Sequence, residues 1–299
     1  MTNVFANHPL VIVTVCDDHY SPLLAALLKS IELNYKQNQD ILVYVISDKI
    51  RPKNQKRLEA SISSALMTIN WIDLEACIPP NAKLPTDRSS YPLNIYARLF
   101  IPDILPATLN KALYLDVDMI LTADVTELWN TDIESCFLAA VQDPMIKTVS
   151  NSWGGILNYR EFDLSADTPY FNTGLLLINT KRWRDEHLAQ KVLNLISANK
   201  QYANYPDQYG LNIVLANKWK KLDKTWNTFA SETGSPPSLI HFTSRKPIYK
   251  TFRGNPAFRT LFFDYLEKTA WKGLRPIGEF ERYLKKISNV LQKYTRLLH

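Results

Sequence analysis

Two aspartates, Asp116 and Asp118, interrupt the otherwise apolar run KALYLDVDMIL (Lys111–Leu121) one residue apart. In an extended chain such residues point the same way, so both carboxylates share a face while Leu115 and Val117 pack the other. Like charges held together in a partly buried place repel and lose hydration, and something positive must offset them. A hard divalent cation does this, taking carboxylate oxygens and keeping positions open for phosphate. The pair also reads as a strand end whose aspartates face water. His241, in LIHF, ends a second expected strand, and an imidazole beside two carboxylates turns the choice from Mg²⁺ toward Mn²⁺. The basic run TSRKP follows it, where Arg245 and Lys246 can meet negative charge. The combination suits a metal-bound diphosphate better than a metal-bound water, for which more histidine ligands are expected.

Positioning these groups requires a sheet. LVIVTV (Leu10–Val15), ILVYVIS (Ile41–Ser47) and MTINWID (Met67–Asp73) read as strands, separated by the helical patterns SPLLAALLKSIELN and RPKNQKRLEASISSAL. In the first helix Ser21 is the expected cap and Pro22 takes the first turn, with Leu23, Leu24, Leu27, Leu28 and Ile31 forming the apolar stripe. Alternation of this kind predicts an α/β fold with a mostly parallel, Rossmann-like sheet flanked by helices. Ligands of such sheets bind outside the carboxyl ends of the strands, where CDDHY, DVDM and QDP stand here. Further on, YFNTGLLLIN (Tyr170–Asn179) reads as a strand and Thr180 as the cap of a helix running to about Ala198. PDQYGLNIVLAN starts another helix, and SLIHF closes the main domain.

The composition is that of an ordinary globular protein, 46% hydrophobic and 21% charged over 299 residues, which argues against disorder. Apolar runs fall well short of the roughly 20 residues that cross a membrane, and Met1–Pro9 lacks the features of a signal peptide, so a cytoplasmic location is expected. Cys16, Cys77 and Cys136 stand far apart and read as reduced packing residues. Of the net charge of +6, five units come from Arg282, Lys285, Lys286, Lys293 and Arg296, in a tail without acidic residues. The nearly neutral body argues against nucleic acid as a partner.

Four motifs in order, YLDVDMIL, YFNTGLLLIN, YPDQYGLN and HFTSRKP, resemble the signature of the family-eight retaining glycosyltransferases, the group of bacterial lipopolysaccharide galactosyl- and glucosyltransferases and of glycogenin. The similarity runs from about Val11 to about Trp271. It implies a GT-A (nucleotide-diphospho-sugar transferase) fold, a UDP-sugar donor, a glycan or glycolipid acceptor, and Mn²⁺, or Mg²⁺, held by Asp116, Asp118 and His241. The segment CDDHY resembles the family's nucleotide-binding stretch, which implies Asp17 at the uracil, Tyr20 stacked on it and His19 near the ribose. The resemblance further implies that Arg98 contacts donor phosphate or sugar, that Asp143, Asn172, Asp207 and Gln208 hold sugar hydroxyls, and that Lys246 meets the diphosphate. Gln208, with Asp207 beside it, matches the side chains nearest the reacting carbon. A neutral amide is a poor nucleophile, so departure and attack on one face of the sugar are favoured. Gln208 then stabilises the developing positive charge.

Two departures from the family pattern stand out. HFTSRKPIY has Ser244 for the usual glycine, a spacer one residue shorter and Ile248 for tryptophan, which is expected to shift the Lys246 ammonium relative to the diphosphate. Tyr209 replaces a frequent aspartate, where sugar or acceptor preference is expected to change. The expected organisation is a catalytic domain over 1–250 and a helical, basic extension over 251–299. From Tyr283 on, apolar residues recur at helical spacing with cations between them, a pattern that suits an anionic membrane surface; residues 282–299 would hold the protein on the inner face of the cytoplasmic membrane. The expected activity is transfer of galactose or glucose from UDP to a surface glycan such as lipopolysaccharide. The alternatives are a metal-dependent hydrolase or phosphotransferase acting on a nucleotide sugar, and a non-catalytic sugar-binding protein of the same fold.

Overall fold

The structure, a computed structural model, describes residues 9–80, 82, 84, 85, 93–280, 282–284, 287 and 291. The first apolar segment forms β1 (Leu10–Asp17), and α1 (Ser21–Asn34), β2 (Ile41–Asp48), α2 (Pro52–Glu59) and β3 (Met67–Asp73) follow. β1 pairs in parallel with β2, and β2 with β3, as two successive crossover helices require. The stripe of Leu23, Leu24, Leu27, Leu28 and Ile31 seals α1 against the sheet, all five being buried. Ser21 lies inside the helix rather than capping it. Its hydroxyl donates to Asp18 O at 2.9 Å, while the Asp17 carboxylate caps the preceding turn by accepting from Tyr20 N at 3.0 Å. α2 stops at Glu59 instead of running to Leu66. Ser61 bonds back to Arg57 O at 2.7 Å, and the serine-rich stretch turns toward β3.

Short helical pieces at Leu74–Cys77, Leu93–Phe100 and Ile101–Ile104 precede β4 (Lys111–Leu115), and β5 (Met119–Leu121), β6 (Leu138–Gln142) and β7 (Phe171–Asn179) follow it. They are followed by α3 (Leu188–Ala198), α4 (Pro206–Val214), β8 (Trp219–Lys221), β9 (Thr228–Phe229), β10 (Leu239–His241) and α5 (Pro256–Leu266). The main sheet runs β3-β2-β1-β4-β7-β6-β8, and a small second sheet runs β5-β10-β9. All nine residues of β7 are buried, which is why its sequence shows no alternation. β7 is antiparallel to both of its neighbours. No α-helix crosses over between β6 and β7; the long connection returns the chain directly, and a return without a crossover gives antiparallel partners. The helix expected to run from Thr180 to Ala198 is two. Asn179, not Thr180, supplies the cap by accepting from Arg182 N at 3.1 Å, and His187, in the left-handed region at φ 49°, breaks the helix before α3.

α5 packs on α1, with the Tyr265 hydroxyl donating to Leu121 O at 3.0 Å. Farther on, Ile277 pairs with Tyr249 as an isolated parallel bridge, fixed by Lys250 N to Ile277 O at 2.9 Å and Ile277 N to Ile248 O at 2.8 Å. The chain is helical at Glu279, Phe280, Arg282–Leu284, Ile287 and Leu291. Tyr283, Leu284, Ile287 and Leu291 are exposed, whereas Arg282 is buried. Lys285, Lys286, Val290, Lys293, Tyr294, Arg296, Leu297 and Leu298 of the expected amphipathic helix lie outside the described residues.

Candidate functional site

Asp116 and Asp118 are not inside a strand. β4 ends at Leu115, and the Asp-Val-Asp segment is the turn by which the chain leaves the main sheet for the second one. Val117 therefore lines a cavity with the two carboxylates instead of packing the opposite face. Two backbone bonds hold the turn: Asp116 N donates to Gly174 O of β7, and Phe242 N donates to Asp118 O, both at 2.8 Å. The antiparallel pairing of β10 with β5 sets His241 opposite Met119, one residue from Asp118. Ligand atoms of Asp116, Asp118 and His241 consequently lie within 4.8 Å of one another.

The histidine tautomer follows from the bonds behind it. Gly174 N donates to Asn172 Oδ1 at 2.9 Å, which identifies that atom as oxygen. Asn227 Nδ2 donates to the same oxygen at 2.9 Å, so Asn227 Oδ1 faces His241 Nδ1 at 2.9 Å. An amide oxygen only accepts, and the ring proton is on Nδ1. Nε2 then turns its lone pair toward the carboxylates, 3.4 Å from Asp118 Oδ1 and 3.8 Å from Asp116 Oδ2. A lone pair aimed at two carboxylates is repulsive until a cation joins them. Two carboxylates and an imidazole form a donor set that fits a divalent ion such as Mn²⁺. Gly174 makes the closeness possible: a Cβ there would stand 2.5 Å from His241 Cε1 and 2.9 Å from Asp116 Oδ2. Asn227→Leu removes the acceptor behind the ring and is expected to weaken Mn²⁺ binding about 10- to 100-fold in an equilibrium titration. Unchanged affinity would mean that Asn227 does not orient the imidazole.

Charges around the turn are closely matched. Arg98 is buried; its Nη2 donates to Asp116 Oδ1 at 3.1 Å and its Nη1 to Thr173 O at 2.8 Å. Its Nε stands 3.2 Å from Asp207 Oδ2, a charge contact off line for a hydrogen bond. Burial works against the guanidinium, but Asp116 foremost, with Asp207 and Asp118, holds its pKa above the ordinary value. Burial raises the Asp116 carboxyl, opposed by Arg98 and reinforced by Asp118. Burial also acts to raise Asp118, yet the Lys246 ammonium outweighs it, and this carboxyl lies below the usual range. Lys246 Nζ is hydrogen-bonded to Asp118 Oδ2 and to Phe242 O, the latter at 2.8 Å. The shortened TSRKP segment thus sets its lysine against a carboxylate of the acidic turn.

A cavity of about 720 Å³ opens over these groups, within the size range of small-molecule sites. Its wall contains Asp17, Tyr20, Arg98, Asp116, Asp118 and His241, together with Asp143, Asn172, Asp207, Gln208 and Lys246. His19 is not on the wall; its Nε2 lies 2.8 Å from the Tyr249 hydroxyl, and its ring meets that of Tyr20 edge-on. Asp207 and Gln208 stand in the first turn of α4. Gln208 Oε1 accepts from Thr173 N at 3.0 Å, and Gln208 Nε2 and Asn172 Nδ2 both reach Asp143 Oδ2, at 3.4 and 2.9 Å. Tyr209 is buried and turned away, its hydroxyl donating to Asn158 Oδ1 at 2.9 Å. Sequence reasoning misses Thr173, Tyr249, Arg282, Trp153 and Tyr205, which line the cavity, and Asn227, which bonds to His241. Thr173, inside YFNTG, Tyr205, at the start of YPDQYGLN, and Tyr249, at the end of HFTSRKPIY, sit in motifs that could have signalled them.

The model of a family described as Glycosyl transferase family 8 matches residues 11–249. General stress protein A of Bacillus subtilis (strain 168) is 26% identical, the match covering 87% of this chain and 94% of that protein. Lipopolysaccharide 1,2-glucosyltransferase of Escherichia coli (strain K12) is 25% identical, over 100% of this chain and 88% of that protein. Among solved structures, the galactosyltransferase LgtC in complex with donor and acceptor sugar analogs superposes with a TM-score of 0.73 at 23% identity, covering 87% of this chain and 96% of that one. The structural likeness is one of fold.

Proposed function

The chain belongs to glycosyl transferase family 8 and has the GT-A fold, and from that premise we propose that it is a Mn²⁺-dependent, retaining hexosyltransferase moving galactose or glucose from UDP to a glycan or glycolipid acceptor, such as a lipopolysaccharide core. The observation that carries this reading is the meeting of Asp116, Asp118 and the Nε2 lone pair of His241 at the floor of a cavity large enough for a nucleotide sugar. A divalent ion on these three groups would supply Lewis-acid neutralisation of the donor diphosphate. Lys246, already beside Asp118, is the neighbouring cation for the phosphate oxygens, and Asp17 and Tyr20 line the end of the cavity that would take the uracil. His19 acts on the nucleotide end through Tyr249.

At the sugar end, Asp143, Asn172 and Arg98 are positioned to hold hydroxyls or phosphate, each fixed by buried hydrogen bonds. Asp207 is committed to Arg98, which lowers its availability as a nucleophile. The Gln208 amide, held between Thr173 N and Asp143, offers a fixed dipole to the anomeric carbon. Both features support departure and attack on the same face, with the leaving phosphate taking the acceptor proton.

The proposed organisation keeps the catalytic body in 1–250 and assigns the remainder to an extension that rests on the inner face of the cytoplasmic membrane. Exposed Phe280, Tyr283, Leu284, Ile287 and Leu291 support that contact. No helix among the described residues is long and apolar enough to cross a membrane.

Incubation with UDP-galactose, UDP-glucose and other UDP-sugars, with Mn²⁺, Mg²⁺ or chelator, is expected to release UDP from one sugar and only with metal. Release of UMP and sugar phosphate would instead identify a hydrolase. Donor binding with no product, even with candidate acceptors, would identify a sugar-binding protein.

A further inference from the structure

Arg282 belongs by sequence to the cationic tail, yet it is 8% exposed and lines the cavity with Lys246, Tyr249, Asp17 and Tyr20. Its position is built. The bridge between Tyr249 and Ile277 pins the start of the helical segment to a residue of the cavity wall. Glu279, two residues after that bridge, accepts from Arg282 Nε at 2.5 Å, from the Thr251 hydroxyl, and lies 3.6 Å from Arg245 Nη2. The Thr251 hydroxyl, then Arg282 and Arg245, hold the Glu279 carboxyl below its usual range, so the anchor stays charged. With Nε spent on Glu279, the two Nη groups donate to no protein acceptor among the described residues. A guanidinium held at one edge presents its other edge as a rigid fork, the geometry that phosphate oxygens accept in pairs.

We propose that Arg282 is a phosphate-binding residue of the donor site, so that the segment after α5 completes the wall of the nucleotide diphosphate pocket. The inference rests on the reading of the cavity as a nucleotide-sugar site. Arg282 lines the same cavity as Asp17, Tyr20 and Tyr249 and as Lys246 and the acidic turn, so its free edge faces the space that the diphosphate of such a donor would occupy. Arg282 is then distinct from the other cations of the tail: it faces a ligand, and Glu279 holds it there.

The test is calorimetric, with full-length protein and Mn²⁺. UDP, GDP and ADP are titrated first, and the one bound most tightly is compared with its nucleoside for wild type, Arg282→Ala and Arg282→Lys. Arg282→Ala is expected to weaken the diphosphate about 10- to 100-fold, the worth of a charge-assisted pair of hydrogen bonds, and to leave the nucleoside within twofold. Arg282→Lys should fall between. Equal losses for diphosphate and nucleoside would show a structural role and overturn the inference, as would unchanged diphosphate affinity. If wild type prefers GDP or ADP, the uracil assignment fails while the comparison still decides Arg282. If it binds none of them, the donor reading falls and this inference with it.

Discussion

Asp118→Asn is expected to lower metal-dependent UDP release by more than about 100-fold, the largest loss that disturbing an outer partner of a metal ligand produces. The variant keeps the shape of the turn and its backbone bond to Phe242, because that bond uses Asp118 O and not the side chain. What it loses is the anionic oxygen that faces His241 Nε2 at 3.4 Å. A neutral amide oxygen is a poorer ligand for a hard ion, and the remaining pair, Asp116 and His241, leaves the ion under-coordinated. Lys246 also loses its carboxylate partner. A second readout separates this from damage to the fold. An ion that binds the native state raises thermal stability by mass action, so wild type should melt higher in Mn²⁺ than in chelator. In Asp118→Asn the loss of the Lys246 pair should lower the metal-free melting temperature, and the Mn²⁺ increment above that baseline should vanish. A variant that keeps the full increment would show that the ion, if one binds, sits elsewhere.

The largest effect on stability is expected at Arg98. Its guanidinium is buried against Asp116 and Asp207 and bonded to Thr173 O, and no other cation reaches Asp207 among the ion pairs of the described residues. Arg98→Ala leaves the buried Asp207 and the partly buried Asp116 in each other's field with their shared cation gone, a change that costs about 3 kcal/mol. Chemical denaturation should show this as a lower midpoint. The assignment to charge, not to lost packing, is checked by adding Asp207→Asn. With one carboxylate neutralised, the double variant should recover part of the loss, whereas a loss from packing alone would be equal in the two proteins. Activity should fall in both, since Arg98 holds Asp116 Oδ1 and so fixes the carboxylate whose other oxygen, Oδ2, faces His241 Nε2.

The acidic turn and His241 were legible because each stands at the end of an apolar run that has to be a strand, and a charge there has few places to go. The three leading βαβ strands were legible for a similar reason: β-branched runs separated by a Leu-rich stripe admit one architecture. The direction of β7 was not. Nine consecutive buried residues fit a strand of either direction, and only the helix-free connection before it decides. Val117 was read from strand alternation, which fails where the chain changes sheets. Asn227 carries no pattern; its role comes from three hydrogen bonds that meet only in the folded chain. Arg282 was misjudged because a cation on an amphipathic helix looks the same whether it faces lipid headgroups, water or a cavity. What distinguishes it is Glu279, three residues away, and the bridge that brings both to the cavity.

The turn that joins the two sheets also sets an order in time. Asp118 and Lys246 are 128 residues apart, the His19–Tyr249 contact closes over 230, and His241 reaches the turn only when β10 pairs with β5. A chain emerging from the ribosome can complete β1 to β4 and display both aspartates, yet it has no imidazole to offer until β10 has been made. Contacts of such long range form late, after the entropy of closing large loops has been met. Nascent or half-folded copies therefore lack the ion site, and competence for chemistry arrives in one step with the closing of the small sheet.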